Sequence, residues 1–155
     1  MTGDKILIVL LAFSGMEFVA WFTHKYIMHG FLWHLHKDHH ESKKQLFEKN
    51  DTFFLIFSIP GALLVFNGAN NGFSDVFYIG LGITIYGFAY FTVHDIFIHQ
   101  RFKLFRNTKN TYLLALRRAH KIHHKKNMKE NGECFGMLIV PLKYFDKKLN
   151  GLIND

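Results

Sequence analysis

The stretch from His24 to His40, HKYIMHGFLWHLHKDHH, decides how the rest of the chain is read. It holds His24-x4-His29 followed by His36-x2-His39-His40, and both patterns return as His94-x4-His99 and His120-x2-His123-His124. Ten of the eleven histidines fall in these patterns, and His34 alone stands outside them. A neutral imidazole is the commonest protein ligand for borderline transition metals, and several on one helical face make a polydentate site. At about 100° per residue, His36, His39 and His40 fall within roughly 100° of arc and can point one way. Positions five apart diverge by about 140° on an α-helix, so His24 and His29 share a metal only where the helix ends or distorts, or else serve two metals. Ten ligands exceed the needs of one ion, and a two-metal centre fits the count.

The remaining composition narrows the class. A chain of 155 residues fits one domain spanning 1–155, and 49% apolar with 17% aromatic residues excludes disorder. One cysteine, Cys134, excludes a disulfide framework, a four-cysteine iron–sulfur site and a zinc finger, leaving histidine to hold any metal. Net charge is +7, and residues 101–129 carry ten Lys or Arg with no acid. Such a run suits a nucleic acid, anionic lipid headgroups or an acidic protein.

The apolar residues are bunched at membrane-spanning length. Residues 6–23 hold one charge, Glu17, and make a first span; they exceed a signal-peptide core and lack a small-residue cleavage site. Asn50 or Asp51 can cap a second helix, which Pro60-Gly61 is expected to kink, and the NGANNG run at 67–72 reads as a turn. Residues 73–93 make a third span of about 31 Å. The glycines of GLGITIYG inside it read as packing positions. TYLLALRRAHKIHH reads as an amphipathic helix opened by Asn110 or Thr111. ENGECFGMLIVPLKYFD is too short to span and is expected to lie in the interface or cover the site. The expected fold is therefore an all-α integral membrane protein with about three transmembrane helices, four being possible, and a histidine-rich helical cap.

Two crossings separate His40 from His94, so all four motifs are expected at one face of the membrane. The basic run shares that face and the 67–72 turn carries no charge, so the positive-inside rule makes the histidine face cytoplasmic.

Neutral ligands leave metal charge uncompensated, which draws attention to nearby acids. Asp38 and Asp95 are candidates to orient ring N–H groups, or are surface charges paired with lysines. Glu17 and Asp75 sit in apolar spans, where an ionisable group is functional by default, although Asp75 lies close to a span end. Phe18, Trp21, Phe22, Phe88, Tyr90 and Phe91 either wall a site for a lipid-dissolved substrate or face the lipid as an interfacial belt.

The motifs HKYIMH, HKDHH, HDIFIH and HKIHH in this order, with MEFVAWFTHKYIMHG before and GECFGMLIVPLKYF after, resemble the bacterial beta-carotene 3-hydroxylase family of the membrane fatty-acid hydroxylase superfamily. That resemblance covers essentially the whole chain. It implies a non-haem di-iron oxygenase that hydroxylates both beta-ionone rings of beta-carotene, through beta-cryptoxanthin to zeaxanthin, with O2 and reduced ferredoxin, in the bacterial inner membrane. The implied iron ligands are His24, His29, His36, His39, His40, His94, His99, His120, His123 and His124. Its implied partners are a carotenoid, a ferredoxin-type donor and the bilayer, with no nucleic acid. The alternatives are a fatty-acid or sterol hydroxylase or desaturase of the same superfamily, and a non-enzymatic histidine-rich metal-binding protein; a transporter would place its ligands at mid-membrane instead.

Overall fold

A computed structural model describes residues 2–41, 47–102, 104–125, 132–146 and 148–149. Its described elements are helical, and three stretches are long and apolar enough to cross a membrane: Gly3–Phe31, Asp51–Asn70 and Asp75–Ile98. The first is helix α1 (Gly3–Phe22) running into a π-helical segment, Thr23–Phe31; next come α2 (Trp33–His40) and α3 (Asp51–Asn70). Helix α4 (Asp75–Phe91) likewise runs into a π-helical segment, Thr92–Ile98, and α5 (Thr111–Lys125) precedes a short 3-10 turn at Leu142–Phe145.

Close approaches fix the helix directions. Along α1 and α4 the contacts rise together, from the Lys5–Asp75 ion pair to Gly82 beside Val9 and Ala12, and on to Tyr86 against Phe13, so these helices run parallel. Helix α3 runs antiparallel to both, with Gly68 on Phe77 and Gly61 on Ile83. A Cβ on Gly80 would lie 2.6 Å from the Val65 nitrogen, and one on Gly82 2.6 Å from the Val9 carbonyl oxygen. These two glycines let the three backbones approach where lipid gives no hydrophobic push between helices. Because α1 and α4 are parallel, all four histidine motifs emerge at one end of the bundle.

One local expectation is corrected: helix α3 includes Pro60 and extends to Asn70, so Asn67 to Asn70 are helical and the turn is confined to Asn71 and Gly72. The Asn71 amide ends the helix by donating to the carbonyl and side-chain oxygens of Asn67, both at 2.8 Å, while buried Gly68 packs on α4. Side-chain hydrogen bonding and helix contact thus override the low helix propensity of Asn and Gly. The expected opening of α5 is observed: the Leu113 N–H donates to Asn110 Oδ1 at 3.0 Å.

The basic run is less uniform than a lipid-facing stripe. Arg117 and Arg118 are buried, the former stacking 4.2 Å from the Phe97 ring centroid and donating to the Phe97 carbonyl at 2.9 Å, the latter donating to the Tyr144 carbonyl at 2.9 Å. Arg106, Lys109 and Lys125 are exposed, and Lys103, Lys126 and Lys129 lie outside the described residues.

Candidate metal centre

The repeated His-x4-His spacing is the spacing of a π-turn. The Leu32 N–H bonds to the Ile27 carbonyl at 3.0 Å and the His99 N–H to the His94 carbonyl at 2.9 Å, both five residues back. This wider ring brings residues five apart onto one side, where an α-helix would separate them by about 140°. His24 and His29 accordingly sit with ring centroids 5.2 Å apart, and His94 and His99 4.5 Å apart. Gly30, at φ −98° and ψ −123°, then breaks the helix so that α2 turns back over the same space.

Ten rings gather into two abutting pockets. Ligand-capable nitrogens of His24, His29, His36, His40 and His123 lie within 4.8 Å of one another, as do those of His39, His99, His120 and His124. His94 adjoins the second set, its Nε2 3.0 Å from that of His39. The two pockets exchange one histidine reciprocally: α2 turns His36 and His40 into the first and His39 into the second, while α5 turns His120 and His124 into the second and His123 into the first. The His40 and His124 rings stack at 4.5 Å to form a common wall. Exposed His34 takes no part in either set.

Outer ring nitrogens fix the tautomers. His24 Nδ1 donates to the Phe135 carbonyl at 3.0 Å, His123 Nδ1 to the Glu133 carbonyl at 2.9 Å and His36 Nδ1 to Asn50 Oδ1 at 2.7 Å. In the second pocket His39 Nδ1 donates to Glu48 at 2.8 Å and His94 Nδ1 to Asp95 at 3.1 Å. Each proton committed outward leaves a lone pair on the inward Nε2. Yet His24 Nε2 stands 3.1 Å from His36 Nε2, and His39 Nε2 3.0 Å from His94 Nε2. Two lone pairs facing at that distance repel unless a cation lies between the donors, so the donor set fits a bound metal in each pocket.

Burial keeps the cap histidines neutral. It holds His36 down at about 3, His40 at about 2 and His123 at about 4, with crowding by neighbouring rings adding to the effect on all three. His39, His99, His120 and His124 are pushed below the usual imidazole range by the same two causes. Burial also pushes the Glu48 carboxyl up to about 7, against the pull of Arg101. Arg101 ties the acids together, 2.9 Å from Asp95, 2.6 Å from Asp51 and 3.6 Å from Glu48.

Among the acids flagged in the sequence, Asp95 does bond a ring. Asp38 instead accepts the Lys49 N–H at 2.7 Å, and the orienting contacts come from Glu48 and Asn50, which sequence reasoning did not select for that role. Both lie just after a connection whose path the sequence does not reveal. The aromatic candidates divide: Phe18, Phe22 and Phe88 are exposed on the bundle, Trp21 and Phe91 are half-buried, and the Tyr90 ring lies 5.0 Å from that of His94. A narrow cleft that the sequence did not announce reaches His120 and is lined by Ile98, Leu116, Met137 and Val140 among others.

The model of the fatty acid hydroxylase family matches residues 9–147, a range that includes every motif histidine. The chain belongs to the fatty acid hydroxylase family. It is 42% identical over 135 residues to the beta-carotene hydroxylase of Pantoea ananas, covering 87% of this chain and 77% of that protein. It is 40% identical over 132 residues to the beta-carotene hydroxylase of Pseudescherichia vulneris, covering 85% and 74%. Against the chloroplastic beta-carotene hydroxylase 2 of Capsicum annuum it is 39% identical over 130 residues, 82% of this chain and 42% of that protein. No solved structure matches it significantly. As a fatty acid hydroxylase family member, this chain is a hydroxylase enzyme whose histidine cluster fits a di-iron site.

Proposed function

We propose that this chain is a single-domain beta-carotene 3-hydroxylase that carries beta-carotene through beta-cryptoxanthin to zeaxanthin. Its centre would hold two iron ions, one on His24, His29, His36, His40 and His123, the other on His39, His94, His99, His120 and His124. The observation that carries this reading is the pair of pockets with inward lone pairs, in a chain whose similar proteins are named beta-carotene hydroxylases. Bound iron would supply the activation of O2. The chain's own residues do the rest: outer hydrogen bonds hold the His24, His36, His39, His94 and His123 rings in the donating tautomer, and the strap at 132–141 shields the first pocket, with Phe135 packed 5.2 to 5.4 Å from the His24, His29 and His123 rings. An apolar ring arriving from the lipid would meet the aromatic flank of Phe18, Trp21, Phe22, Phe88, Tyr90 and Phe91.

A ferredoxin-type donor would supply electrons, and the exposed cations Arg106, Lys109 and Lys125 at the histidine end of the bundle support an acidic partner there. That end would face the cytoplasm of a bacterial inner membrane. Expression in cells that accumulate beta-carotene, followed by pigment analysis, tests the reaction: cryptoxanthin and zeaxanthin are expected, and unchanged beta-carotene with intact, iron-loaded protein would overturn it. Reporters tested at Asn70 and after Asp155 are expected to read opposite sides of the membrane, with the latter cytoplasmic.

A further inference from the structure

Glu17 is the one buried residue of α1, only 7% exposed, in a helix that is otherwise apolar beyond its first turn except for Ser14. Every bond made by its carboxylate is with a donor. One oxygen accepts the backbone N–H groups of Met137, Leu138 and Ile139, each at 2.9 Å, and the other accepts the Tyr86 hydroxyl at 2.7 Å. Three consecutive amides on one oxygen form a concave anion seat, here filled by the protein's own side chain. The fit is close: a Cβ on Gly136 would lie 3.1 Å from that oxygen. The strap bends at Met137 and Leu138 and makes no helix or strand there, so the carboxylate meets a need of these amides that the strap does not meet through regular secondary structure.

The same strap reaches the metal centre one residue further back. The Phe135 carbonyl accepts the His24 Nδ1 proton at 3.0 Å, and Gly136 and Met137 line the cleft at His120. We infer that Glu17 is a positioning residue: by seating amides 137 to 139 it sets the Phe135 carbonyl that orients His24 in the first pocket. This rests on the two-metal reading of the pockets. Glu17 touches no histidine; it acts through a peptide segment 120 residues away in sequence. Its expected signature is therefore selective, a weakened first pocket beside an intact second one.

The test uses full-length protein in detergent with Co(II) as probe ion. Amide hydrogen exchange across 132–141 and Co(II) titration are compared for wild type, Glu17→Leu, Glu17→Gln, Tyr86→Phe and Phe135→Leu. Glu17→Leu is expected to speed exchange at 137 to 139 and weaken one of two Co(II) sites about tenfold or more, the size found when an orienting partner is lost. Glu17→Gln, which keeps an accepting oxygen without the charge, should fall between it and wild type. Tyr86→Phe and Phe135→Leu should preserve the three amide bonds and slow exchange there. Wild-type exchange in the Glu17 variants, or fast exchange with both Co(II) affinities unchanged, would overturn the inference. If Glu17→Leu does not fold, Glu17→Gln decides by the same two readouts. If wild-type protein binds no Co(II), the two-metal reading fails, and with it the positioning role, while the exchange data still report whether Glu17 seats the strap.

Discussion

In the first histidine pocket the outer ring nitrogens of His24, His36 and His123 rest on carbonyl and amide oxygens, while in the second those of His39 and His94 rest on the carboxyl groups of Glu48 and Asp95. The inner faces are alike, five imidazoles each, so the difference lies one bond further out. A carboxylate acceptor raises the basicity of the ring it holds and supplies negative charge that neutral ligands lack. Arg101 tempers that charge by bridging Asp95, Asp51 and Glu48. The second pocket thus has acidic partners that the first lacks. The first is the one under the strap, with an aromatic ring packed on three of its histidines.

The comparison is broken most severely by removing ligands. His40→Ala in the first pocket, and His99→Ala or His124→Ala in the second, should each abolish turnover and reduce bound iron from about two ions per chain towards one. His34→Ala should leave both unchanged. Elemental analysis beside pigment assays reads this, and full metal content in any two of the three ligand variants would remove the site as drawn.

Changing the outer partners sharpens it. Glu48→Gln and Asp95→Asn keep the shape but remove the charge, and should weaken metal binding at the second pocket by roughly 10- to 100-fold. Asn50→Leu at the first pocket removes a neutral acceptor and should have the smaller effect. Equal losses in competition titrations with a chelator would mean that the carboxylates confer no advantage.

Acid provides a graded test on metal-free protein. An imidazole titrates near 6.5 in the unfolded chain, whereas burial lowers His123 to about 4, His36 to about 3 and His40 to about 2. Between these values the unfolded state binds more protons, so stability is fully present above about 6.5 and declines as pH falls through the window towards 4 and below. Thermal melts from pH 7.5 to 4.5 should show falling midpoints, and bound metal should flatten the decline. A midpoint that rose on acidification would contradict neutral, buried rings in the first pocket.

The smallest effect is expected outside the pockets. Arg106→Glu should raise the ferredoxin concentration giving half-maximal rate by roughly two- to threefold, an effect that salt mimics because exposed charges are screened over about 8 Å. Iron content should stay normal. Identical rate curves for wild type and variant at two salt levels would exclude a docking role for this residue.

The sequence by itself determined the class of this protein. Four motifs in two repeated spacings named the ten histidines, and the bunching of apolar residues placed three spans whose parity put the motifs at one end. Those features are legible because membrane length and ligand chemistry are local properties, written in runs of a few to twenty residues. Tertiary structure decided the rest. It selected π-helical turns at Thr23–Phe31 and Thr92–Ile98, so that histidines five apart face one way, and it crossed α2 and α5 so that each pocket borrows a ring from the other's motif. It also chose Glu48 and Asn50 over Asp38, buried Arg117 and Arg118 within a basic run, and bound Glu17 to a segment 120 residues later. The π-turns close through bonds five residues back, but the crossing of α2 and α5, the burial of the arginines and the seating of Glu17 depend on contacts between separate segments, where the partner of a polar group is set by which backbones meet and not by its neighbours along the chain.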